Sequence, residues 1–182
     1  VCILPLYHVS GLMQLWRSLL TDGKLLITDY HQLCTGDTMP MPQIEIENYF
    51  ISLVPTQLHQ LLDLYPSWLA KFQTILLGGA PPIMELLTRS RIAKLPLALT
   101  YGMTETASQI TSLKPAEFLA GNNSCGRVLP HAEIKLILAL DGGVGAIQIK
   151  AKSLMLGYFP DLAPTEYFET DDLAQPLDEW GY

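Results

Sequence analysis

The feature that most constrains this chain is an alternation of strand-length apolar runs with segments of helical spacing, joined by short connections, over its first two thirds. "VCILPL" reads as a strand. "SGLMQLWRSLLTDG" reads as a helix, with Leu12, Leu15, Trp16 and Leu19 on one face, Ser10 as its cap and Gly23 at its C-terminal end. "KLLITDY" is strand-like, and the Pro-rich "HQLCTGDTMPMPQ" reads as a loop. "YFISLV", "FQTILL" and "PLALTYG" read as strands, separated by the helices "PTQLHQLLDLY", with Thr56 as cap, and "IMELLTRSRIAK". Such alternation predicts an α/β fold, a largely parallel sheet flanked by helices.

Beyond about residue 115 the pattern changes. "HAEIKLIL", "GAIQIKAKS" and "LMLGYF" are short strand-like runs, with "LDGGVG" a turn between two of them. They predict part of a small antiparallel β-barrel subdomain. The expected division is residues 1–115 for the α/β part and 116–182 for the partial barrel.

Ligands of open α/β sheets bind beyond the carboxyl ends of the strands. Three stretches are predicted to lie there: "PLYHVSG", "GGAPP" and "YGMTETAS". Each has two readings. Thr104 and Glu105 are a helix cap and a first-turn carboxylate, or a hydroxyl for a phosphate oxygen and a ligand for Mg²⁺. Gly78 and Gly79 form a tight turn, or let a flat ligand approach bare backbone. His8 is a satisfied structural histidine, or it gates a pocket. The acidic stretch "FETDDLAQPLDEWGY" is a solvated loop face, or one of its carboxylates pairs two ribose hydroxyls.

Composition removes several classes. Net charge is −7, and the 11 Lys and Arg residues form no basic stripe, which argues against nucleic-acid binding. No apolar run is long enough to span a bilayer, and the start has no basic n-region of a signal peptide. Cys2, Cys34 and Cys125 are too few and too widely spaced for a disulfide framework or zinc site, which fits a reducing cytoplasm.

"GGAPP", then "YGMTE", then "TDDL…DEWGY" resemble, in order and spacing, the adenylate-forming superfamily of acyl-CoA synthetases, luciferases and peptide-synthetase adenylation domains. "PLYHVSGL" resembles its acyl-pocket motif, and "SCGRVLPHAEIKL" and "GAIQIKAKSLMLGYF" the segments that open its small barrel. "LVPTQLHQLL" and "YGMTETASQITSL" most resemble the o-succinylbenzoate–CoA ligase family of menaquinone and phylloquinone synthesis.

The resemblance implies ATP, Mg²⁺ and coenzyme A, with a small-molecule carboxylic acid as acyl donor. It implies Thr104 at the nucleotide phosphate and Glu105 at Mg²⁺. Tyr101, with Gly78, Gly79, Ala80 and Pro81, would flank adenine, Gly102 and Met103 would also bind the nucleotide, and Asp172 would hold the ribose hydroxyls. His8, Ser10 and Gly11, with Ser108 and Gln109, would lie near the acyl substrate. One departure is Asp171, where the family usually has Gly. The family's phosphate loop, the Arg after "DEWGY" and the mobile C-terminal domain with its lysine are not in the sequence. Both ends read as cut, so the expectation is an internal portion of such a ligase, inactive by itself; the alternatives are a ligase for another aryl or fatty acid, or a catalytically incomplete nucleotide-binding fragment.

Overall fold

The computed structural model describes residues 1–35, 45–138, 143–160 and 166–175. The expected turn at 140–145 and the "DEWGY" segment with Asp178 and Glu179 lie partly or wholly outside the described residues. The chain forms two compact units, Val1–Leu99 with Lys114–Asn123, and Thr100–Leu113 with Ser124–Tyr182.

The core of the first unit is a parallel ladder. β1 (Phe50–Leu53), β2 (Thr74–Leu77) and the start of β3 (Leu97–Met103) pair in register, aligning Ile51, Ile75 and Leu97 in one row and Leu53, Leu77 and Leu99 in the next. All six side chains are buried. Burial of such a side chain contributes about 1.5–3 kcal/mol, so these two rows are a substantial part of the unit's stability. α3 (Pro55–Leu64) adds Leu58, Leu61 and Leu62, and α5 (Met84–Ile92) adds Leu86 and Leu87. Between them α4 (Pro66–Leu69) buries Trp68 edge-on against Phe72, with ring centroids 4.8 Å apart.

Arg91 of α5 holds α6 (Pro115–Leu119) within this unit. Its Nε donates to Phe118 O at 2.8 Å and its Nη2 to Asn122 O at 3.1 Å. The guanidinium also stacks 4.4 Å from the Phe118 ring centroid. One cation thus ties α5 to carbonyls at and just beyond the C-terminal end of α6.

Several expectations are corrected. "VCILPL" and "KLLITDY" form no extended strands; they meet in a single parallel bridge, Cys2 to Ile27. Pro5 has no N–H to extend a ladder. α1 spans Val9–Leu20, and its cap is His8, not Ser10, because the helix starts two residues earlier and Ser10 N–H donates to the His8 ring. The left-handed residue at its end is Asp22, φ 53°, rather than Gly23. The helical spacing holds, but Leu12, Trp16 and Leu19 are exposed.

Thr56 does not cap α3. Val54 does, with Pro55 at the first helical position and Gln57 Oε1 accepting from Val54 N–H at 3.2 Å. Tyr30–Thr35, read as strand end and loop, is α2, started by Asp29, whose carboxylate accepts from His31 N–H at 2.8 Å.

The sheet is mixed rather than largely parallel. The second half of β3 pairs antiparallel with β4 (Ser108–Ser112), and β4 with β5 (Arg127–Val128), in the order β1-β2-β3-β4-β5. A separate antiparallel sheet contains β6 (Ala132–Leu138), β7 (Gly145–Ala151) and β8 (Phe168–Ala174). Ile110, Ile147 and Ile149 form the buried centre of the second unit. "LMLGYF" lies outside the named strands. The acidic stretch, in contrast, supplies β8, where Phe168 and Thr170 are half-buried and alternate with exposed Glu169 and Asp171.

Candidate active site

In the second unit, β3 turns into β4 through "MTETAS". Met103 precedes a single 3-10 turn, Thr104–Thr106, and Ala107 then takes the left-handed conformation at φ 52°. No longer helix follows Thr104. The buried Thr106 hydroxyl fastens this turn: it accepts from Met103 N–H at 3.0 Å and lies 2.7 Å from Ser108 O as donor. With Thr106 turned inward, Thr104 is left exposed at the tip. Gly102 pairs with Gln109, and a Cβ at Gly102 would stand 2.2 Å from Ser108 O, so only glycine allows the two strands to close here.

Upstream on β3, Tyr101 OH donates to Asp172 Oδ2 of β8 at 2.7 Å. Burial first, and then this hydrogen bond, pushes the Tyr101 phenol well above the ordinary tyrosine value, so it remains a donor. Both partners are braced. Tyr101 N–H donates to Thr111 Oγ1 at 3.2 Å, and Thr111, fully inside the fold, donates to Cys125 O at 2.8 Å. Asp172 N–H donates to Thr170 Oγ1 at 3.2 Å, which in turn donates to Ile147 O at 3.0 Å.

Glu105 is half-buried. Its Oε1 accepts from Tyr158 OH at 2.9 Å and its backbone carbonyl accepts from Met155 N–H at 2.8 Å. Among the described residues no three His, Cys, Asp or Glu side chains converge as a metal cage. A cation held entirely by protein ligands does not fit. A Mg²⁺ carried on phosphates does, since it takes one or two carboxylate oxygens and keeps several waters.

The second unit therefore brings together Tyr101 with Asp172, and carries Gly102, Met103, Thr104 and Glu105 in the adjoining turn, with Ser108 and Gln109 opening β4. The first unit carries the remaining predicted residues in two places. His8 and Ser10 lie at the start of α1, with Nδ1 of His8 2.9 Å from Ser10 Oγ, and Gly11 is buried in the first turn. Gly78–Pro81 follow β2, where Gly78 N–H donates to Leu53 O at 3.2 Å and Gly79 has φ 83°. That φ is one that glycine adopts without strain. Sequence reasoning missed Thr106, Thr111 and Tyr158. Thr106 stood in view within "YGMTETASQ"; Tyr158 was signalled only by the preceding Gly157.

A strand-to-turn shelf of hydroxyl and carboxylate, with a second carboxylate braced beside a tyrosine, suits a nucleotide. The model of the AMP-binding enzyme family matches residues 1–159, and the chain belongs to that family. Within it, the chain is 32% identical over 196 residues to a 2-succinylbenzoate–CoA ligase of Enterococcus faecalis, covering 100% of this chain and 39% of that relative. The o-succinylbenzoate–CoA synthetase of Bacillus subtilis in complex with the acyl-adenylate intermediate OSB-AMP superposes with a TM-score of 0.80 at 29% identity, covering 99% of this chain and 39% of that one. The same synthetase in complex with ATP and magnesium ion gives 0.79 at 28% identity, over 98% and 39%. The chain thus spans about 39% of the length of the curated relatives it matches. No helix among the described residues is long and apolar enough to cross a membrane.

Proposed function

We propose that the protein is an ATP-dependent carboxylate–CoA ligase that activates 2-succinylbenzoate as an acyl-adenylate and transfers it to coenzyme A. The observation that supports this most is β3 itself: one strand carries Tyr101 to Asp172 and then ends in the exposed Thr104 and half-buried Glu105. The similarity to 2-succinylbenzoate–CoA ligases supports the choice of acid.

In the first half-reaction a carboxylate oxygen attacks the α-phosphorus and the bond to pyrophosphate breaks. In the second, the thiol attacks the acyl carbon and AMP leaves. Such chemistry depends on positioning and charge neutralisation rather than a protein nucleophile. The Thr104 hydroxyl donates to a phosphate oxygen. Glu105 holds Mg²⁺, which when bound neutralises phosphate charge. Asp172 accepts from the ribose hydroxyls through the oxygen that Tyr101 does not occupy. Tyr101 flanks the adenine, and Gly102 and Met103 contact the nucleotide.

Ser108 and Gln109 lie near the acyl substrate. We further propose that the protein is cytoplasmic and that its cycle needs a phosphate loop and a C-terminal domain outside this chain.

The test is ATP–pyrophosphate exchange by the complete protein with 2-succinylbenzoate, benzoates and fatty acids. Exchange is expected with 2-succinylbenzoate above the others. Preference for another acid overturns the substrate and keeps adenylation; no exchange with any acid overturns the ligase reading.

A further inference from the structure

Glu105 is gripped twice by one short segment. Met155 N–H donates to its backbone carbonyl at 2.8 Å, and Tyr158 OH donates to its carboxylate at 2.9 Å. Between these contacts the chain turns at Gly157, φ 133°, a conformation other residues rarely adopt. The Tyr158 side chain is not there to fill the core, since the residue is 61% exposed. Its hydroxyl makes the contact that distinguishes it from phenylalanine. We propose that Tyr158 is a positioning residue for the nucleotide-borne cation: by holding Oε1 of Glu105 it turns the second carboxylate oxygen toward the metal.

This inference rests on the assignment of Glu105 to Mg²⁺ made above. A glutamate side chain rotates freely about its last bond, whereas Mg²⁺ demands near-octahedral geometry at short distance. A hydrogen bond to one oxygen removes that freedom before the cation arrives. Partners of this kind set the affinity of a metal ligand without touching the metal.

The experiment uses the complete protein, with Mn²⁺ as a paramagnetic stand-in for Mg²⁺ and a non-hydrolysable ATP analogue. Free Mn²⁺ is read by electron paramagnetic resonance, and analogue binding without divalent ion is measured separately. Tyr158→Phe is expected to weaken Mn²⁺ binding to the protein–analogue complex by about 10–100-fold, the range for lost partners of metal ligands. Analogue binding without metal and the unfolding midpoint stay unchanged. Equal Mn²⁺ affinity in Tyr158→Phe and the native protein overturns the inference. So does an equal loss with and without the divalent ion, which marks a structural tether of the turn. Glu105→Gln separates the two levels of argument. If it weakens Mn²⁺ binding and Tyr158→Phe does not, only the role of Tyr158 falls; if it leaves Mn²⁺ binding intact, the assignment of Glu105 falls with it.

Discussion

Thr106 carries its turn through a single oxygen, accepting from Met103 N–H and donating into the start of β4. Thr106→Val keeps the shape and removes both interactions. It leaves Met103 N–H without its partner at a part-buried position, a change that costs about 1–3 kcal/mol. Chemical denaturation is expected to show that loss, with an unchanged denaturant slope. The hydroxyl cluster at 104–108 was evident from sequence, and so was the carboxylate beside it. Which hydroxyl turns inward was not, because that depends on the antiparallel partner, and the sequence reading had assigned no strand to Ser108–Ser112. Tyr158 was hidden for a related reason. An isolated Gly-Tyr in an apolar run looks like strand, and only the folded chain brings it to Glu105, 53 positions away.

At the scale of elements, the strands with apolar alternation or continuous apolar runs were legible: β1, β2, β3, β6 and β7 stand where the pattern put them. α1, α3 and α5 were legible in the same way, while the caps of α1 and α3 were not, since each helix starts two residues before the expected one, which changes the residue that meets the first free N–H groups. The strand β8 was obscured by its charges, four of the five residues from Glu169 to Leu173 being exposed. Charge also joins elements. Arg89 of α5 pairs with Asp63 of α3, and that guanidinium holds the Asp63 carboxyl below the usual carboxylate range. A lowered folded value means the contribution is present above the ordinary value and is lost as pH falls through the lowered one. Both groups lie at the surface, so the effect is small. Asp63→Asn is expected to lower the unfolding midpoint slightly near neutrality, and the gap from the native protein is expected to close once pH falls well below about 3.9, the ordinary Asp value. Thermal melts across pH 2–7 are the check. A gap that persists into acid would assign the loss to packing instead.

For the molecule as a whole, the change from parallel to antiparallel pairing along β3 has a temporal side. Met103 meets Ser108 only five positions on, whereas Ile75 must find Leu97 across 22 and Phe50 must find Thr74 across 24. Closing the longer loops costs about 1 kcal/mol more in chain entropy for each pairing. Local contacts therefore have the head start, and parallel ladders are the slow part of such folds. During refolding, pulsed hydrogen exchange is expected to protect the amides of Gly102–Gln109 before those of β1 and β2; the reverse order would show that the parallel rows nucleate. On this ordering, the turn bearing Thr104 and Glu105 is among the first pieces of the protein to acquire its shape, and the machinery assigned to phosphate is older, in the life of each molecule, than the parallel rows of β1 and β2.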